Sequence, residues 1–409
     1  MPTIRPFAAL RPRPELAPRI CELPYDVMST EEARLVAEGN PLSFLRVSKP
    51  ELELDSSVDP YSPEVYARGA ENFASLIRQG SLLRDSKPSL YLYRQVMGNH
   101  YQVGLVALAS CEEYLQGLVK RHELTRPDKE DDRVRHIEAL NAQTGPVFLT
   151  YRDQPDVNSW VDRRLEGAPD TDFVSPDGIR HSAWSVAAPE DVAWLVQAFA
   201  RIPCMYIADG HHRSAAAARV ADARQGKGLS NYFLSVIFPH RQMQILPYNR
   251  VVRDLNGRTA SEFLAALGRV ATVAPAENGV VRRKHEVGLY MAGGWRVLSF
   301  KNELTNGGDP VDRLDVALLQ NHILGPLLGI EDPRTSRRIA FVGGIRGVNE
   351  LEQRVNAGLD VCAFSMFPTG IEDLMEIADA GGIMPPKSTW FEPKLRDALF
   401  CHVFDSELA

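Results

Sequence analysis

The sequence predicts a mixed α+β protein, and three observations carry that prediction. Apolar runs of strand length alternate with helix-period stretches along the chain, with no internal repeat and no low-complexity tract. In the middle, the run Met205 to Ala208 ends at the turn pair Asp209-Gly210 and passes directly into Ala215-Ala216-Ala217-Ala218-Arg219-Val220. That is a strand, a tight turn and a helix start in succession. Finally, 409 residues are enough for two or three domains, each burying its own core.

Composition narrows the class. With 44% hydrophobic and 24% charged residues the chain reads as an ordinary soluble globular protein. A formal charge of -7 and a pI near 5.9 argue against a DNA-binding surface, which needs a basic excess. Cys21, Cys111, Cys204, Cys362 and Cys401 are scattered and lack C-x-x-C pairing, so they read as reduced and the expected location is cytoplasmic. No apolar run reaches membrane-spanning length, and the N-terminus has no basic-then-apolar signal pattern. Neither a membrane nor a nucleic acid is expected as a partner.

In chain order, the proline-rich start leads through Leu23-Pro24-Tyr25-Asp26-Val27 to a helix over Ser29 to Glu38, with Ser29 as N-cap and Glu32 three residues on. Ser43 to Val47 is expected to be a strand. The spacing of Val65, Ala70, Phe73, Leu76 and Ile77 predicts a helix over Glu64 to Gly80. Leu90 to Val96 and Tyr101 to Ala109 form a hairpin through Gly98-Asn99. A helix from about Lys129 to Ala142 and a strand over Val147 to Tyr151 follow. Residues 154–188, polar and turn-rich, read as a connecting or lid-like segment. Pro189 to Ala200 has one apolar helical face. Tyr232 to Phe238 and Met243 to Leu246 are expected to pair with each other, and Asn249 with Arg250 sit just past them as a pair able to close the same site. From Ser261 the pattern starts afresh, with strands near 270–273, 287–291, 296–301, 338–342 and 361–366 and helices near 261–267, 315–324 and 371–380. Gly343-Gly344-Ile345-Arg346-Gly347 follows a strand but fits neither a P-loop nor a dinucleotide fingerprint.

Three stretches concentrate chemistry. The central one, Asp209-Gly210-His211-His212-Arg213-Ser214, puts free backbone N–H groups, the positive end of a helix dipole and a planar guanidinium at one turn, the makings of an anion cradle. The second runs from Val119 to His136. Most such charge runs are solvated helix faces, but Arg126-Pro127 interrupts this one and makes part of it a loop. It places Glu123 beside His122, Thr125, Arg126 and Lys129, a carboxylate among potential phosphate ligands. The third, Met384 to Lys394, offers Lys387, Ser388 and Thr389 between prolines, while Trp390 and Phe391 read as core.

Over nearly its whole length the chain resembles the family catalogued as domain of unknown function 1015, through Leu23 to Val27, the His122 to Arg133 run, Ile207 to Arg213 and Pro386 to Lys394. His122-Glu123, Asp209-Gly210-His211-His212-Arg213 and Pro386-Lys387-Ser388-Thr389 also look like the motifs of the ADP-dependent free serine kinases of the ParB and sulfiredoxin superfamily, in the same order. That resemblance implies a ParB/sulfiredoxin-like nucleotide-binding core at 116–258, with an insertion at about 154–188. An N-terminal α/β extension would precede it at 1–115, and a C-terminal α/β domain at 259–409 would complete the site.

The resemblance further implies a small-molecule kinase moving a phosphoryl group from ADP or ATP to a hydroxyl, with free L-serine as first acceptor. Glu123 would be the base. Asp209 would assist it or hold Mg²⁺, Gly210, His211, His212, Arg213 and Ser214 would bind the nucleotide, and His122, Thr125, Arg126, Lys129, Lys387, Ser388 and Thr389 would lie near substrate or phosphate. Two other readings compete. A ParB-like nucleotide-binding regulator should carry a basic DNA-binding helix-turn-helix, and the sequence shows none. A zinc hydrolase on His122, His136, His211 and His212 lacks the His-Glu-x-x-His spacing, and adjacent histidines rarely share an ion. A sulfiredoxin-like reductase would need a cysteine in the turn, and Cys204 lies before the strand.

Overall fold

The chain is α+β, and its computed structural model describes residues 1–306 and 308–404. It forms two compact units. The first holds Met1–Arg121, Thr125–Met243 and the segment from Pro393 onward; the second holds His122–Leu124 and Gln244–Glu392. Among the described residues no helix is long and apolar enough to cross a membrane.

In the first unit, nine strands form one mixed sheet among the described residues. Its order is Val119–Lys120, Met205–Asp209, Val147–Tyr151, Tyr232–Pro239, His100–Ser110, Leu90–Met97, Arg180–Val186 and Thr171–Val174, with Ile4–Arg5 pairing beside the 100–110 strand. The central strands are buried along almost their whole length, which is why they read as continuous apolar runs rather than alternating ones. One core joins Leu105, Leu149, Trp184, Phe199, Ile207 and Phe233. The helix Pro127–Leu140 packs on the helix His211–Ala223 through Ile137, Ala216 and Val220, with Phe404 added from the C-terminal segment. The small side chains of Ala215 to Ala218 are all buried there.

The second unit carries a six-stranded antiparallel sheet ordered Ala271–Ala276, Gly294–Phe300, Glu286–Met291, Cys362–Met366, Tyr248–Val252 and Ile339–Gly343. Val251, Tyr290, Trp295, Val342, Leu351 and Ala363 form a core on it.

Most expected elements are present at nearly their expected bounds. The helix Thr30–Ala37 has the full capping box between Ser29 and Glu32, and the hairpin turns at Gly98. Three expectations are corrected. Residues 43–47 do not form a strand: Phe44 is the N-cap of the short helix Leu45–Ser48, which takes in 45–47, because Phe44, Leu45 and Val47 are all buried and a short apolar run has no period to separate the two forms. Residues 154–188 are not a loose connection. They make the helix Pro155–Arg164 and two strands that pair onto the sheet edge, where Asp172 and Arg180 form an ion pair at 2.5 Å and the polar alternation imitates a loop.

The strand Gln244–Leu246 pairs with Trp390–Glu392, not with Tyr232–Pro239, which lies between the 100–110 and 147–151 strands. The 90–110 hairpin sits in the sheet of the first unit. The first unit takes in the chain to Met243 and again from Pro393.

Gly104, in the central 100–110 strand, has no room for a side chain: a Cβ there would lie 2.6 Å from Val236 Cγ1 and 2.8 Å from the Phe238 ring. Gly104→Val is expected to lower stability by about 1–3 kcal/mol, as overpacking does, read as an earlier urea midpoint at unchanged m-value.

Candidate functional site

The central turn is built by the end of one buried strand and the start of a long helix. The strand Met205–Asp209 carries a register shift between Ile207 and Asp209, and the chain then turns at Gly210 with φ +93. An L side chain there would be strained, and a Cβ would also stand 3.1 Å from Arg213 Nε and 3.4 Å from Val147 Cα. Gly210 is the N-cap of the His211–Ala223 helix, and no side chain caps the helix start. Ser214 is buried, its Oγ donating to the His211 carbonyl at 3.0 Å. His211 is buried; His212 is half-buried and its Nε2 accepts the Arg126 backbone N–H at 3.1 Å.

Asp209 stands at the mouth of this turn. Its Oδ2 meets Lys394 Nζ at 3.1 Å, and its Oδ1 accepts the Gly210 N–H at 2.8 Å. Burial by itself raises a carboxyl's pKa. Here the Lys394 ammonium and the Arg213 guanidinium outweigh it and hold Asp209 well below the usual carboxylate range. The group is ionised at neutral pH. Its contribution to stability is therefore present above the unfolded carboxyl value of about 3.9 and is lost as pH falls. Lys394 is only 8% exposed, and its carbonyl accepts from Gln95 Nε2 at 2.8 Å.

Arg213 lies along the turn, its Cζ 3.3 Å from where a Cβ on Gly210 would stand. It donates to the Pro146 carbonyl and lies in the field of Asp209, Asp26 and Asp397. Asp397 is packed so closely that a Cβ on Gly145 would fall 2.5 Å from its Oδ1, which explains the glycine there. Burial pushes the Asp397 carboxyl up to about 7; Arg213 opposes the shift and Asp26 adds to it. Nearby, the Arg133 guanidinium lies 3.7 Å from the centre of the Tyr25 ring and forms a two-pronged bond with Asp132 at 3.0 and 2.6 Å. Tyr25, Arg133, His136, Gly145, Arg213 and Asp397 line a cavity of about 40 Å³. That is room for about one water.

The other expected site residues divide between the units. Thr125, Arg126 and Lys129 belong to the first unit, where Thr125 bonds Glu130, Arg126 clasps Asp128 at 2.8 Å, and Lys129 Nζ donates to Tyr61 Oη at 2.8 Å. His122, Glu123, Lys387, Ser388 and Thr389 belong to the second. His122 is buried and its carbonyl accepts the Met384 N–H at 2.7 Å, while Glu123 is half-buried. Lys387 is exposed at φ +59, with its Nζ 5.6 Å from the centre of the Tyr248 ring. Ser388 is buried and its Oγ donates to the Pro385 carbonyl at 2.6 Å; Thr389 is half-buried. His136, counted in the zinc reading, is already engaged. Its ring Nε2 donates to the Val47 carbonyl at 3.0 Å, and burial draws its pKa down to about 4.

Lys394, Arg396 and Asp397 were not singled out as site residues by the sequence, although Lys394 closes the third dense stretch. Arg396 is buried against Ser175, Asp177 and His181. The only local signal was charge at three of four consecutive positions beside apolar residues, from Lys394 to Asp397.

Residues 4–317 match the family described as proteins of unknown function, DUF1015. The chain belongs to that family. No curated protein matches the DUF1015 chain. Among solved structures it is similar to a free serine kinase in complex with AMP, at 12% identity over 72% of this chain and 92% of the other, with a TM-score of 0.35. It is also similar to SbnI from Staphylococcus aureus, at 10% identity over 71% and 85% of the chains with a TM-score of 0.39. A conserved hypothetical protein from Pyrococcus furiosus shows 13% identity over 71% and 93%, with a TM-score of 0.34.

Two outcomes are expected from this unit. Gly210→Ala should destabilise by about 1–2 kcal/mol through the positive φ, measured by urea unfolding. For Asp397, the native state holds a proton that the unfolded chain releases between about pH 4 and 7, so this carboxyl lowers stability as pH rises through that window. Asp397→Asn should therefore gain on the wild type between pH 5 and pH 8 in unfolding experiments. A constant difference across that range would overturn the assignment.

Proposed function

We propose that this DUF1015 protein is a nucleotide-dependent small-molecule kinase whose phosphates sit at the helix start after Gly210. The observation that carries the reading is the Asp209 turn: an ionised carboxylate, held by Lys394, directly before the uncapped N-terminus of a thirteen-residue helix. Such a helix start presents backbone donors and a positive dipole end to an anion. The likeness of the Asp209 to Arg213 turn, His122-Glu123 and Pro386 to Thr389 to the motifs of the free serine kinases supports the same reading.

Phosphoryl transfer asks a protein to align two partners and neutralise charge, and little else. In this reading Gly210, His211 and His212 bind phosphate oxygens, with Ser214 behind them. Arg213 adds its charge from the inner side of the turn. Glu123 takes the proton of the acceptor hydroxyl, and His122, Thr125, Arg126, Lys129, Lys387, Ser388 and Thr389 supply the acceptor and phosphate surroundings. One carboxylate together with phosphate oxygens is an ordinary donor set for Mg²⁺, and the ionised Asp209 fits it. When bound, the ion would neutralise charge on the transferred group. ADP or ATP is the proposed donor and L-serine the first acceptor to try.

Thermal shift with Mg²⁺ and ADP or ATP, followed by ³¹P detection after adding L-serine, tests the reading. Stabilisation by one nucleotide with O-phosphoserine formed is expected. Glu123→Ala should lower turnover by at least about 10²-fold while keeping the nucleotide shift, and Asp209→Asn should weaken the shift itself. Nucleotide binding without any phosphorylated product, from serine or another hydroxylated metabolite, favours the ParB-like regulator. Absence of any nucleotide response sinks both.

A further inference from the structure

The second unit holds a buried arginine that no carboxylate neutralises. Arg250 lies in the middle of the Tyr248–Val252 strand, between Phe341 and Phe364 of the neighbouring strands, and is only 3% exposed. Its guanidinium donates to the Tyr248 carbonyl and, at 3.0 Å, to the Lys387 carbonyl, and its centre is 5.4 Å from that of the Phe341 ring. Those two bonds use two of five N–H donors. Among the described residues no carboxylate lies within ion-pair distance of it. Burial draws its pKa down to about 10, so the charge persists at neutral pH.

A desolvated, uncompensated cation is costly, by several kcal/mol for a typical ion. Among the described residues the other two buried arginines have a carboxylate partner: Arg133 has Asp132, and Arg396 has Asp177. Arg250 instead opens onto a cavity of about 300 Å³. Phe341, Pro385 and Pro386 form apolar walls, and Gln320 is held by its Nε2 donating to the Ile330 carbonyl at 2.7 Å. At the rim Arg334 is already paired with Asp332 at 2.8 Å, and Glu331 is exposed. The charge left without a partner is the one at the floor.

We propose that this cavity is an anion site in which Arg250 receives the phosphate or carboxylate group of a small molecule. The planar fork suits either oxyanion, and the cavity has room for a body of several heavy atoms against the proline and phenylalanine walls. The proposal stands on Arg250 and its surroundings alone and does not require the kinase reading.

Calorimetric titration of the full chain with inorganic phosphate and, separately, with acetate tests it, comparing wild type with Arg250→Met, Arg250→Lys and Gly210→Ala. The wild type should bind at least one of the two anions. Arg250→Met should lose one site, and Arg250→Lys, which keeps the charge without the fork, should bind it about tenfold more weakly. Gly210→Ala should retain that site. Phosphate binding with no acetate binding identifies a phosphorylated ligand, and the reverse identifies a carboxylate. Binding lost only in Gly210→Ala assigns it to the helix start and overturns the proposal. So does wild-type binding in both Arg250 variants, or no binding of either anion by the wild type. Should Arg250→Met fail to fold, Arg250→Lys and the wild-type titration still decide.

Discussion

The contact between Lys394 and Asp209 organises the first unit. It joins residues 185 positions apart and places a nearly buried ammonium beside the end of the Met205–Asp209 strand. An ammonium in that position needs a counter-charge, and burial would otherwise push the half-buried carboxylate beside it toward protonation. The Lys394 ammonium and the Arg213 guanidinium keep the Asp209 carboxylate ionised. The segment from Lys394 to Asp397 is thereby drawn onto the sheet, where Gln95 binds the Lys394 carbonyl and the Glu22 and Asp397 backbones pair with each other. The charge state of the turn and the course of the C-terminal chain are one problem with one solution.

Arg213 shows how environment separates chemically identical groups. Three carboxylates share its field, Asp209, Asp26 and Asp397, and the two that lie deepest behave oppositely. Asp209 also has Lys394 and remains ionised. Asp397 has the exposed Asp26 as a like-charged neighbour and is buried behind Gly145, so its carboxyl holds a proton to about pH 7. A pair of acids pushed apart in this way lets one position carry fixed negative charge while the other can accept or donate a proton. The strand carrying Asp209 ends at a glycine with positive φ, so the helix start lies immediately beyond the charge.

The second unit solves its charge balance differently. Its sheet is antiparallel throughout, and the strand bearing Arg250 is flanked on both sides. Backbone carbonyls and an aromatic face take the place of the carboxylates that accompany Arg133 and Arg396 in the first unit. One of those carbonyls belongs to Lys387, in left-handed conformation at φ +59, so the Pro386 to Thr389 turn and the buried guanidinium support each other.

Sequence alone determined the local elements and the turn. Ser29 with Glu32, the apolar period of residues 64–78, the Gly98 hairpin and the Asp209-Gly210 break each act within a few residues, so their physics is complete in the local chain. Family membership was also legible, because Leu23 to Val27, His122 to Arg133 and Ile207 to Arg213 are distinctive as words. Tertiary structure decided whatever depends on partners far along the chain. Residues 45–47 became helix because burial, not period, governs so short an apolar run. The polar stretch after residue 154 became sheet because Ala183, Trp184 and Val186 are buried in the core and its strand pairs along Leu90–Val96, partners the local sequence does not show. Lys394 and Asp397 acquired their roles, and Arg250 its uncompensated charge, only from neighbours that folding supplied. An ion's environment is set by everything within several ångströms, and sequence distance carries no information about that.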